Sequence, residues 1–150
     1  MRAILRTRPE SQCKIMLPMV AGLAELRATR AIVRKEKTKL GRTDAVQLGI
    51  MVEVPSAAIM AEGLPAEADF LSVGTNELTQ YALAMGRLNP ALAPQVDAFH
   101  PAVPRLIARA VEGARAHGRW VGVCRGAASV ALAAPACKVG AGQHRRRGGD

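Results

Sequence analysis

Asp69-Phe-Leu-Ser-Val-Gly-Thr-Asn-Glu-Leu-Thr-Gln-Tyr81 carries a strand, a turn and a helix start in thirteen residues. Asp69 to Val73 is a short, mostly apolar run of the kind that forms a strand buried on both faces. Gly74 then permits a tight turn, Thr75 or Asn76 can cap a helix, and Glu77 to Met85 continue with helical spacing. A strand that runs directly into a helix is half of a βαβ unit.

The pattern repeats on both sides of this stretch. Apolar runs at Cys13 to Val20, Gln47 to Val54 and Arg119 to Cys124 predict three more strands. Leu23, Leu26, Ile32 and Val33 mark one face of a helix that ends in a charged stretch at 34–39, with Gly41 as its stop. Pro55 suits a first helical turn, followed by a short helix from Ser56 to Glu62. Pro101 to His117 predicts another helix, with Val103, Leu106, Ile107, Ala110 and Val111 on its apolar face and Gly118 at its end.

Alternation of this kind implies an α/β fold with parallel strands and right-handed helical crossovers. Two architectures fit: an open doubly wound sheet, or part of an eight-stranded (β/α)8 TIM barrel. Four strands in 150 residues cannot close such a barrel. From Arg125 onward the chain becomes rich in Ala, then in Gly and Arg, a composition that predicts a disordered tail over 125–150.

Bulk properties narrow the function. The net charge of +9 raises nucleic acid as a partner, but the tail holds five Lys or Arg against one acid, leaving +5 over the first 124 residues. Aromatic residues make up only 3% of the chain, so stacking platforms for bases are lacking. Cys13, Cys124 and Cys137 form no metal-ligand or C-x-x-C spacing. With no long apolar run and no secretory leader pattern, the expectation is a cytoplasmic protein without a membrane partner.

In parallel α/β proteins reacting groups collect where strands end. Glu53, Asn76, Glu77 and Cys124 all fall at such points. Glu53 and Glu77 suit a hard, oxygen-preferring cation such as Mg2+, or else they are a solvated loop residue and a first-turn acid favoured by the helix dipole. Asn76 and the turn at Gly74 can hold an anion or simply cap the helix. Arg87 can reach a phosphate or lie on the surface, and Cys124 can be an acid, a nucleophile or a small buried hydrophobe.

The stretch from Asp69 through Tyr81 to Arg87 resembles the signature of the phosphoenolpyruvate-utilising enzymes. It is most similar to the phosphoenolpyruvate-protein phosphotransferases (Enzyme I) of the bacterial sugar phosphotransferase system. Ile15-Met-Leu-Pro-Met19, Gly49-Ile-Met-Val-Glu-Val-Pro-Ser-Ala-Ala58 and Gly118-Arg-Trp-Val-Gly-Val-Cys124 extend the likeness in the same order. The likeness covers Arg2 to Cys124 and implies the second part of the family's barrel. It implies Glu53 and Glu77 as Mg2+ ligands, Asn76 and Arg87 as phosphate contacts, and Cys124 as the acid that protonates the carbon of departing pyruvate.

The family moves a phosphoryl group to a protein histidine, and this sequence has no phosphohistidine segment of its own. A histidine-containing phosphocarrier and a homodimer are the protein partners the likeness implies. The earlier barrel strands are not in this sequence, so turnover by this chain alone is not expected. Pyruvate phosphate dikinase and phosphoenolpyruvate synthase share the same signature. A non-catalytic interaction module that pairs through open sheet edges is the reading from a different class. Glu77 stands where the family has Asp, and Arg125 follows Cys124 where the family has Gly. The tail therefore reads as a shifted frame, which a Gly-Glu-Leu-Ala continuation in another frame across codon 125 would establish and its absence would refute.

Overall fold

The computed structural model describes residues 1–7, 13–86 and 88–124. The element order is α1 (Arg2–Leu5), β1 (Lys14–Leu17), α2 (Leu23–Lys39), β2 (Gln47–Val52), α3 (Pro55–Ile59), α4 (Leu64–Glu67), β3 (Leu71–Gly74), α5 (Thr75–Ala82), a 3-10 turn (Ala93–Gln95), α6 (Ala102–Ala116) and β4 (Val121–Cys124). The four strands form one all-parallel sheet in chain order, β1-β2-β3-β4. A right-handed crossover helix can return each strand beside the last only if all run the same way.

Strand residues alternate between two different environments. Leu48, Ile50, Val52, Leu71 and Val73 are essentially inaccessible and pack in one core with Leu26, Ala57, Ala58, Val103, Ile107 and Ala110 of the helices. The opposite face carries Met16, Met51, Ser72, Gly74 and Cys124, and no residue of that core. One face covered by helices and one facing inward is the arrangement of strands in a (β/α)8 barrel. This sheet is four strands of such a barrel.

Local stops follow the sequence where glycine supplies them. Gly41 adopts φ 65° and Gly118 φ 64°. In each case the next two amides return to the helix: Gly41 N to Thr38 O and Arg42 N to Lys37 O, then Gly118 N to Arg115 O and Arg119 N to Ala114 O. These are Schellman caps, which satisfy carbonyls that the helix end leaves free.

Other boundaries differ from the expected ones. β1 stops at Leu17 because Pro18 has no amide to donate and Met19 takes φ 56°. The helix after β3 begins at Thr75 with Gly74 as its N-cap, so neither Thr75 nor Asn76 caps it, and no side chain bonds the cap. It ends before Met85 because Ala84, at φ 53°, closes a Schellman cap through Ala84 N to Tyr81 O and Met85 N to Gln80 O. The short helix after Pro55 ends at Ile59, and Leu64–Glu67 forms a separate turn of helix before β3.

Ion pairs fasten the outer helices. Arg2 Nε donates to Glu36 Oε2 at 2.7 Å and Lys39 Nζ to Glu36 Oε1 at 3.1 Å; these hydrogen bonds hold the Glu36 carboxyl at about 2, well below the usual carboxylate range. The predicted disordered tail, 125–150, lies outside the described residues.

Candidate functional site at the strand ends

Register places three inner-face positions side by side at the carboxyl ends of the strands. Gly74 pairs with Cys124, and Glu53 follows Val52, whose partner is Val73. Glu53, Gly74 and Cys124 therefore form one row across β2, β3 and β4. Two residues earlier, Met51, Ser72 and Gly122 form the row below.

Glu53 is only 6% exposed. A buried carboxylate must be compensated by donors or by a cation. Its Oε2 accepts the Met19 amide at 2.8 Å, presented by the left-handed turn that ends β1. Among the described residues Glu53 has no other hydrogen-bond partner and no ion-pair partner. Among the described residues one amide is therefore all that compensates this carboxylate.

Gly74 makes room for that carboxylate. Its backbone, at φ −91° and ψ 91°, is open to any residue, so the turn does not require glycine. The close approach does: a Cβ here would lie 2.6 Å from Glu53 Cγ and 2.9 Å from Oε1. Sequence reading took Gly74 for a turn residue, whereas its function in the fold is to leave space.

Cys124 is exposed at the end of β4, which overturns the buried-hydrophobe reading of this residue. Its Sγ lies 3.2 Å from the Ser72 hydroxyl, in a hydrogen bond that either atom can donate. Asn76 is exposed and Glu77 half-buried in the first turn of α5, directly after the row. Arg87 lies outside the described residues. No group of three or more His, Cys, Asp or Glu gathers at metal-binding spacing among the described residues.

Sequence reasoning singled out Glu53 and Cys124 because both end apolar runs. It did not single out the groups that bond them, Ser72 and the Met19 amide. The signal for Ser72 was available in Leu71-Ser-Val-Gly74, where alternation puts Ser72 on the same face as Gly74. Asp69, the first residue of the motif, is structural: its Oδ2 accepts the Leu48 amide at 2.8 Å and faces Arg30 Nη2 at 3.4 Å.

A parallel α/β sheet with a carboxylate and a thiol at its strand ends is part of a (β/α)8 barrel domain, and both groups lie on the rim where such barrels carry their sites. The model of the PEP-utilising enzyme, PEP-binding domain family matches residues 1–143, and the chain belongs to that family. The matched span runs past Cys124, where the resemblance read from the residues ends.

Among relatives, the multiphosphoryl transfer protein of Rhodobacter capsulatus is 48% identical over 128 residues, covering 85% of this chain and 15% of that protein. The phosphoenolpyruvate-protein phosphotransferase of Geobacillus stearothermophilus is 41% identical over 140 residues, covering 90% of this chain and 24% of its own length. That of Bacillus subtilis (strain 168) is 39% identical over 140 residues, with 90% and 25% covered. The chain thus spans a quarter or less of these relatives. A crystal structure of a citrate lyase from Burkholderia xenovorans LB400 superposes with a TM-score of 0.64 at 20% identity, over 86% of this chain and 42% of that one, a likeness of fold. No helix among the described residues is long and apolar enough to cross a membrane.

Proposed function

We propose that this chain supplies the phosphoenolpyruvate- and Mg2+-binding rim of a phosphotransferase that moves the phosphoryl group of phosphoenolpyruvate to a protein histidine and releases pyruvate. The observation that carries the reading is Glu53: a nearly buried carboxylate at a strand end, aligned by one amide, with no cation beside it among the described residues. Glu53 and Glu77 would hold the cation, which when bound neutralises developing charge on phosphoryl oxygens. Asn76, in the first turn of α5, and Arg87 would contact the phosphate.

Cys124 is exposed on the same rim and would give its thiol proton to the carbon that becomes the methyl of pyruvate. The acceptor histidine would come from outside the described rim, with a cytoplasmic histidine-containing phosphocarrier further along the sequence of transfers. The relatives' names, phosphoenolpyruvate-protein phosphotransferase and multiphosphoryl transfer protein, support a protein acceptor over a dikinase or synthase reaction.

Titration calorimetry tests the binding step. Phosphoenolpyruvate should give a saturable heat only with Mg2+ present, and Glu53→Gln, which keeps the shape but removes the charge, should abolish it. Binding that survives in Glu53→Gln, or that is the same with chelator as with Mg2+, would refute the assignment.

A further inference from the structure

We propose that Ser72 is a positioning residue for Cys124, holding its sulfur at the rim and receiving it as a thiolate once its proton has been given away. The inference rests on the proposed role of Cys124 and adds a residue to it. Ser72 is 8% exposed, sits one row below the rim on the inner face of β3, and its hydroxyl lies 3.2 Å from Cys124 Sγ. A buried hydroxyl seeks a partner, and this one finds a sulfur on the neighbouring strand, although the two residues are far apart in sequence. The contact holds one side of the sulfur of a residue that is otherwise exposed at the rim.

The hydroxyl suits both protonation states because it can accept from S–H and donate to S−. In the forward reaction the S–H bond of Cys124 breaks and both its electrons remain on sulfur. The π pair of enolpyruvate takes the proton to form the new C–H bond, and the enolate oxygen becomes the ketone of pyruvate. Ser72 Oγ–H then turns to donate to the thiolate, a charge-assisted bond stronger than the one it replaces. In the reverse direction the same bond holds the thiolate where it retrieves a methyl proton.

The test reads the thiol directly and needs no ligand. Alkylation of the 150-residue chain by iodoacetamide is followed at Cys124 by peptide mass spectrometry, with Cys13 as the internal reference. Ser72→Ala should slow alkylation of Cys124 about threefold near neutral pH and displace its pH profile upward, leaving Cys13 unchanged.

Ser72→Thr and Ser72→Val make the same comparison at equal volume and in residues that favour strands, so the question survives if the alanine variant does not fold. Thr should resemble the parent and Val the alanine variant. Equal profiles for Thr and Val, or an Ala profile identical to the parent, would overturn the proposal. Failure of phosphoenolpyruvate to bind would count against the proposed function alone, because the alkylation result does not depend on it.

Discussion

The two ends of the sheet's inner face are built by the same device and put to different uses. At the carboxyl end, Glu53, Gly74 and Cys124 make a polar row; at the amino end, register carries Met16 and Gly49 on to Phe70 and Trp120. Each row contains a glycine whose missing side chain is filled by its neighbour. A Cβ on Gly74 would strike Glu53, and a Cβ on Gly49 would lie 2.4 Å from the Phe70 ring. Space at one end seats a carboxylate, and at the other it seats an aromatic ring.

The difference separates polar groups from packing. Phe70 stacks on Trp120 with ring centroids 4.6 Å apart and planes 2° from parallel, closing the floor of the inner face. No titratable carboxylate or thiol lies in that row. In (β/α)8 barrels the carboxyl end carries reacting groups and the amino end carries packing, and these four strands already divide that way. The largest expected effect tests the division at the floor. Phe70→Ala should cost about 3–5 kcal/mol in denaturant unfolding through lost burial and a cavity under Trp120. Phosphoenolpyruvate affinity of the fraction that remains folded should be unchanged; a rim that fails with the floor would erase the distinction.

Gly74→Ala probes the other end. The added methyl meets Glu53 Cγ at 2.6 Å and Oε1 at 2.9 Å, so the carboxylate must leave its place beside the Met19 amide. Overpacking of this sort costs about 1–3 kcal/mol of stability. Mg2+-dependent phosphoenolpyruvate binding should weaken at least about tenfold, because an octahedral cation tolerates little displacement of a ligand. Stability lost with affinity intact would show that Gly74, like Gly49 at the other end, serves packing alone.

What the sequence made legible divides along a related line. The βα alternation, the stops at Gly41 and Gly118, and the strand-end positions of Glu53 and Cys124 are local signals, readable within a few residues. The Ser72–Cys124 contact and the Phe70–Trp120 stack join residues roughly fifty apart, and only inter-strand register brings them together. The helix end at Ala84 was hidden for another reason. A left-handed cap at a non-glycine residue carries no compositional mark, so the helical spacing read on to Met85 while the backbone turned at Ala84. Gly74 was legible as a glycine but not for its reason, because close approach by Glu53 is a property of the folded sheet.

The smallest expected effect refines the floor itself. Lys14 Nζ lies 4.9 Å from the Trp120 ring centroid and 5.9 Å from that of Phe70, so the ammonium caps the stack from the edge strand β1. Lys14 is exposed, and a cation over an aromatic face at an exposed site contributes about 0.5–1 kcal/mol. Lys14→Met retains an unbranched apolar stem and removes only the charge, so its cost in unfolding free energy should fall in that range. Repeating the substitution in a Trp120→Leu background isolates the interaction, since the coupling should vanish when the better π face is gone. Because Lys14 begins β1 and Glu53 follows the carboxyl end of β2, neither variant should move the affinity for phosphoenolpyruvate. A cost of Lys14→Met that persists without Trp120 would mean that Lys14 acts through Phe70 or through its stem, not through the Trp120 face.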